Sequence, residues 1–324
     1  VIDFRYHLVS IVAIFLALSV GIVLGTTLLE DPVIKASESL ANQLREGNNE
    51  LRDQVDALQK REAANDAFVT GGTARMVQDA LVGRSVVIVE APGSTASVRE
   101  AAQQVIEEAG GSVTGRITLT ERYTDPAQAG FVDKLAVGAK AAETVFSVED
   151  TAHDKAAEVL AGAILTSDSS QIGKEHPSGA GILDAFQRAG LLTVTGEPAR
   201  RAETALMIAP AEAYAGETAS AQAGTLVTLA LGLDDAGQGT VIAGTQTSVA
   251  PGGVIAALRE DAAFTEKVSS VDTADMPAGR VVVVYALREQ LTGLAGQYGI
   301  GPGVSGIEPS ATPTPTVPTA TSGG

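Results

Sequence analysis

Cysteine and tryptophan are both absent from the 324 residues, and aromatic side chains make up only 4% of them. Without cysteine there is no disulfide, no thiolate nucleophile and no thiolate metal ligand. Without tryptophan, aromatic cages and base-stacking platforms are poorly supplied. Positive charge is also scarce: 22 lysines and arginines stand against 39 acidic residues, a net charge of −17. Such a field repels a phosphate backbone, so nucleic acid is excluded as a partner. No G-x-G-x-x-G, P-loop or G-x-S-x-G motif occurs, which removes the usual signatures of nucleotide binding and serine hydrolysis. The length suits one large domain with appendages, or two modest domains.

What is present begins with a run of apolar residues. Leu8 to Leu29 is 22 residues without a charge. As a helix it would rise roughly 33 Å, enough to cross a hydrocarbon core of about 30 Å. Signal peptides usually carry a shorter apolar region, and Val23-Leu24-Gly25 is a poor substitute for a cleavage site. The run is therefore expected to be a retained transmembrane anchor. Arg5 precedes it and Glu30 and Asp31 follow it, so the short N-terminus should stay inside and the remainder be exported. Asp3 and Lys35 dilute that asymmetry, and His7 reads as an interfacial polar residue. Ala13, Ala17, Gly21 and Gly25 recur every fourth residue, a ladder that would let two such helices approach closely in lipid.

Asp31-Pro32 can end one helix and start another. Beyond it Leu44, Leu51 and Leu58 repeat every seven residues, with Asn48 and Val55 between them at the other core position. This predicts a short coiled-coil seam in which Asn48 fixes the register and Glu62 marks the fraying end. An amphipathic helix folded back on the body is the alternative. Anchor and stalk together predict a homo-oligomer, with a dimer favoured.

From Ser85 onward short β-branched runs alternate with alanine-rich helical stretches. SVVIVE, GGSVTGRITLT, LLTVTG, TALMIAP, TVIAGTQ and RVVVVYAL read as strands. Helices are expected over 95–109, 128–147, 154–164, 181–190, 216–232 and 252–260. The alternation predicts an α/β class: a doubly wound, mostly parallel sheet of flavodoxin- or Rossmann-like type. The organisation is then an anchor (1–30), a coiled-coil stalk (31–66), the α/β globular domain (67–303) and a disordered tail (304–324) rich in proline and threonine.

Chemistry is sparse. Glu90, Pro92, Gly93 and Ser94 follow the first strand, where a doubly wound sheet collects ligands. Glu90 reads as a helix-capping or solvated carboxylate rather than an acid or base. Asp234-Asp235 reads as an exposed turn, and Asp272 and Asp275 lack the ligand spacing of a Ca²⁺ loop. His153 reads as a helix-surface residue and His176, before Pro177, as a loop residue. No catalytic or cofactor-binding residues are assigned, and the chain is not expected to be an enzyme.

FRYHLVSIVAIFLALSVGIVLG, MVQDALVGRSVVIV and RVVVVYALREQLTGLAGQYG, with the leucine-rich stalk between the first two, are more specific than a generic anchor. They resemble the mycobacterial copper transport protein B (MctB) family, an actinobacterial envelope family, from Val1 to about Gly301. The resemblance implies copper efflux across the outer membrane, with copper as the transported ion and a pore as one route. The leading Val in place of Met is expected to reflect an alternative start codon. Soft Cu(I) prefers thiolate and thioether, and Cu(II) imidazole. Against that preference the sequence sets only Met76, Met207 and Met276 and three scattered histidines, so the metal ligands stay unassigned. An oligomeric envelope scaffold or partner-binding protein is the second reading. The residues favour the cytoplasmic membrane and the resemblance favours the outer one.

Overall fold

The computed structural model describes residues 4–310, the side chains of 27–38 excepted. The flanking-charge expectations for Asp3, Glu30, Asp31 and Lys35, and the end of the tail, fall outside that description. The chain divides into two compact units, Val1–Asn65 and Asp66–Gly324.

Helix α1, Phe4–Met76, opens the chain. Its backbone passes through Pro32, so the helix break expected at Asp31-Pro32 does not occur. A proline inside a helix removes one hydrogen bond and costs about 3 kcal/mol, a local penalty that long flanking helices can carry. The second unit follows with β1 (Ser85–Glu90), α2 (Ala96–Glu108), β2 (Ser112–Leu119) and the short α3 (Glu121–Thr124). Then come α4 (Ala129–Ala139), α5 (Ala152–Ile164), α6 (Gly179–Arg188), β3 (Leu192–Gly196) and β4 (Thr204–Ile208). The last part comprises α7 (Ala219–Ala236), β5 (Thr240–Ala243), α8 (Val254–Arg259), α9 (Ala262–Thr265), β6 (Ser269–Val271), α10 (Pro277–Gln290) and β7 (Gln297–Tyr298).

Seven strands form one sheet in the order β3-β2-β1-β4-β5-β6-β7. All neighbours are parallel except β2 and β3, which run antiparallel at one edge. The inner strands are buried on both faces, which explains their continuous apolar sequences. Side chains alternate between two cores. Val87, Val89, Ala205, Met207 and Ile242 face the layer containing α4 to α8. Val86, Ile88, Leu206, Ile208 and Val241 face the opposite layer, with α2 and α10.

The strand expected at RVVVVYAL is instead part of α10. A short valine run signals burial, but burial alone does not separate a strand from a covered helix. Pro277 starts the helix, and Val281 to Val284 are all buried. At Gly279 an added Cβ would lie 1.8 Å from the Thr273 carbonyl oxygen, so the helix start and the β6 exit meet through a residue without a side chain. The strands β6 and β7, three and two residues long, were not legible in the sequence pattern.

Candidate functional site

The apolar part of α1, Phe4–Thr26, has 23 residues, a mean hydropathy of 2.8 and no buried share. Its length is about 35 Å, matching the thickness of a bilayer core. Two hydroxyls in this segment bond back to the helix: Ser19 Oγ donates to the Phe15 carbonyl at 2.7 Å, and Thr26 Oγ1 to that of Ile22 at 3.1 Å. Such back-bonding hides a polar group from an apolar solvent. Of the small-residue ladder, Ala13, Ala17 and Gly21 are exposed and Gly25 is intermediate. Added Cβ atoms at Gly21 and Gly25 would meet open space.

Farther along α1 the leucine series remains uncovered within the chain. Leu44, Leu51 and Leu58 are 66%, 62% and 59% exposed, and Val55 is 49% exposed. Asn48 is exposed too. Covering each leucine would contribute about 1.5–3 kcal/mol.

The remaining candidates are structural. Glu90 is neither solvated nor a helix cap: it is 3% exposed and bound by Arg99 at 3.2 Å, Arg116 at 2.9 Å and the Thr118 hydroxyl at 2.9 Å. Both carboxylate oxygens are engaged, which leaves no free base. Asp272 is fully buried with Arg259 at 2.8 Å. It also accepts from the backbone N–H groups of Ile300 and Gly301 at 2.9 and 3.1 Å, so this pair clasps the segment after β7. Burial pulls the Arg259 guanidinium below its ordinary value.

Asp234 and Asp235 are not a free turn but the last turn of α7. Burial, with Asp235 beside it, pushes the Asp234 carboxyl up to about 6. Asp235 pairs with Lys267 at 2.7 Å. His153 is half-buried instead of lying on a helix surface. Its Nε2 lies 3.1 Å from the Tyr123 carbonyl oxygen and its ring meets that of Tyr123 edge-on at 5.8 Å. Burial lowers its basicity. His176 does lie in a loop, where Nε2 sits 3.1 Å from Glu143.

Met207 is fully buried in β4, Met76 ends α1, and Met276 caps α10. The three methionines thus occupy different elements. Among the described residues no three of His, Asp and Glu are grouped as metal ligands. A cavity of about 870 Å³ opens over α5 and α7, with apolar walls from Leu231 and Ile182 and a rim of Glu143, Glu158, His176 and Lys267.

These features define a class: an α/β protein carrying an uncovered apolar helix of membrane-spanning length. Residues 1–309 match the family described as copper transport outer membrane protein, MctB, and the chain belongs to that family. The proteins named copper transporter MctB in Mycobacterium tuberculosis and Mycobacterium bovis are each 30% identical to it over 313 residues. Those alignments cover 94% of this chain and 98% of each relative. The protein of the same name in Mycobacterium leprae is 27% identical over 331 residues, with the same coverage.

Proposed function

We propose that the protein is a membrane-anchored component of copper efflux in the cell envelope, acting as an oligomer and not as an enzyme. The observation that carries this reading is family membership over residues 1–309, which spans the apolar helix as well as the α/β unit. In this reading residues 1–30 are the anchor, 31–66 the stalk, 67–303 the globular domain and 304–324 a spacer. The ladder Ala13, Ala17, Gly21 and Gly25 packs helices in lipid, and the seam Leu44, Asn48, Leu51, Val55 and Leu58 pairs them outside it. A dimer is the favoured state. The reversal of strand order between β1 and β4 supports kinship with doubly wound sheets.

Copper is the cargo, and transit needs weak, multiple contacts rather than a tight ligand set. The flanking charges favour the cytoplasmic membrane with the body exported, and the family description favours the outer membrane. A scaffold or partner-binding role is the second reading, supported by the anchor, the stalk and a globular unit poor in chemical motifs. Deleting the gene should raise cell-associated copper and copper sensitivity, and the full chain should restore both. Equal copper content with and without the gene favours the scaffold.

A further inference from the structure

The heptad that sets Leu44, Leu51 and Leu58 at d and Asn48 and Val55 at a also fixes the positions flanking the seam. Arg45 and Arg52 fall on one flank, at e, and Leu40, Gly47 and Gln54 on the other, at g. No carboxylate occupies either flank over this span. Glu46, Glu50, Asp53 and Asp56 all lie at b, c and f, which turn away from the seam. In a chain of net charge −17, a seam bordered by cations and neutral residues alone departs from the charge of the whole.

Among the described residues these arginines have no acidic partner. Arg45 donates to the Asn42 Oδ1 of its own helix at 3.5 Å, and Arg52 makes no side-chain hydrogen bond or ion pair. Glu50 instead accepts from the Gln54 amide at 3.3 Å. Leu40, on the opposite flank, is 58% exposed. An added Cβ at Gly47 would meet open space.

A second copy does not supply the missing charge. Parallel pairing sets Asn48 against Asn48 and places each e residue opposite the g residue of the preceding heptad. Arg45 of one copy then faces Leu40 of the other, and Arg52 faces Gly47. Antiparallel pairing would set one arginine flank against the other, which like charge disfavours. A parallel two-stranded stalk therefore carries along each side a pair of unmatched arginines, a leucine outside the seam and the notch of a residue without a side chain. Carboxylates on an incoming helix match the arginines, and its apolar face covers Leu40.

We propose that each flank of the paired stalk, built from Arg45 and Arg52 of one copy and Leu40 and Gly47 of the other, docks an acidic amphipathic helix of another protein. This rests on the paired seam of the proposed function and not on copper. The test uses the full chain in nonionic detergent and two synthetic four-heptad peptides with leucine at a and d. One carries glutamate at every e and g position and the other lysine. Fluorescence anisotropy at an ionic strength of about 0.15 M should show the glutamate peptide bound about tenfold or more tightly, with the preference lost near about 1 M salt. Arg45→Glu combined with Arg52→Glu should reverse the preference, which a misfolded chain would not do. Light scattering of the same samples counts the chains. Two chains holding the glutamate peptide support the proposal. A single chain bound to it supports the arginine pairing and overturns the two-stranded seam. Equal affinity for the two peptides, or a free chain of higher oligomeric mass that takes up neither, overturns the docking.

Discussion

Asp234 is the residue whose ionisation most directly works against folding. Its carboxyl titrates at about 6 in the folded chain against 3.8 when free, because burial and Asp235 penalise the anion more than Thr240 and Lys267 relieve it. Below the unfolded value both states are protonated and nothing is lost. As pH rises from 3.8 through 6, the unfolded state ionises first and the folded state loses stability. Two pKa units correspond to about 3 kcal/mol, which solvent screening of this partly exposed group reduces to roughly 1–2 kcal/mol. Asp234→Asn, which keeps an acceptor for Thr240, should raise the Tm by about 3–6 °C at pH 7.5 and leave it unchanged near pH 3. Equal shifts at both pH values would contradict the ionisation argument. Glu90 and Asp272 are a different case, one of ion pairing. Each is a buried carboxylate paired with arginine, and removing either strands a cation at a cost of about 3–5 kcal/mol. Sequence spacing showed where Glu90 lies but not that Arg99 and Arg116 converge on it, since those arginines arrive from α2 and β2.

Among the elements, α1 and α10 pose opposite problems. The valines of α10 resemble a strand in sequence, and only the sheet face and α2 beside them make a helix the better burial. The leucines of α1 keep a heptad in sequence and are exposed among the described residues, which is the pattern the proposed pairing of chains would cover. Leu51→Asp combined with Leu58→Asp places charges on that seam. In detergent-solubilised full chain the pair should lower the oligomeric mass seen by light scattering, while the circular dichroism of the α/β unit holds. Unchanged mass would leave the small-residue ladder as the source of association, or the amphipathic alternative. Asn48→Leu is expected to act the other way, stabilising association while loosening register.

For the whole molecule, the decisive quantity is where the apolar helix resides. Its apolar segment of 23 residues has no buried share among the described residues. The protein should resist extraction by high salt and carbonate, and a chain beginning past residue 30 should be released by them. Separating the two envelope membranes then decides between the flanking-charge reading and the family description. Recovery of intact wild-type chain in the salt wash would contradict anchoring outright.

The sequence by itself determined the features that are local. These are the apolar run, the heptad, the alternation of strands and helices, and the resemblance now matched by family membership. Each depends on residues close together in the chain, so periodicity and composition suffice to read them. The tertiary structure alone decided that RVVVVYAL is helical, that β2 and β3 are antiparallel and that Glu90 and Asp272 are clasped by arginines. Those facts depend on residues distant in the chain, and which distant segments share a face is fixed by packing, not by any single stretch of sequence.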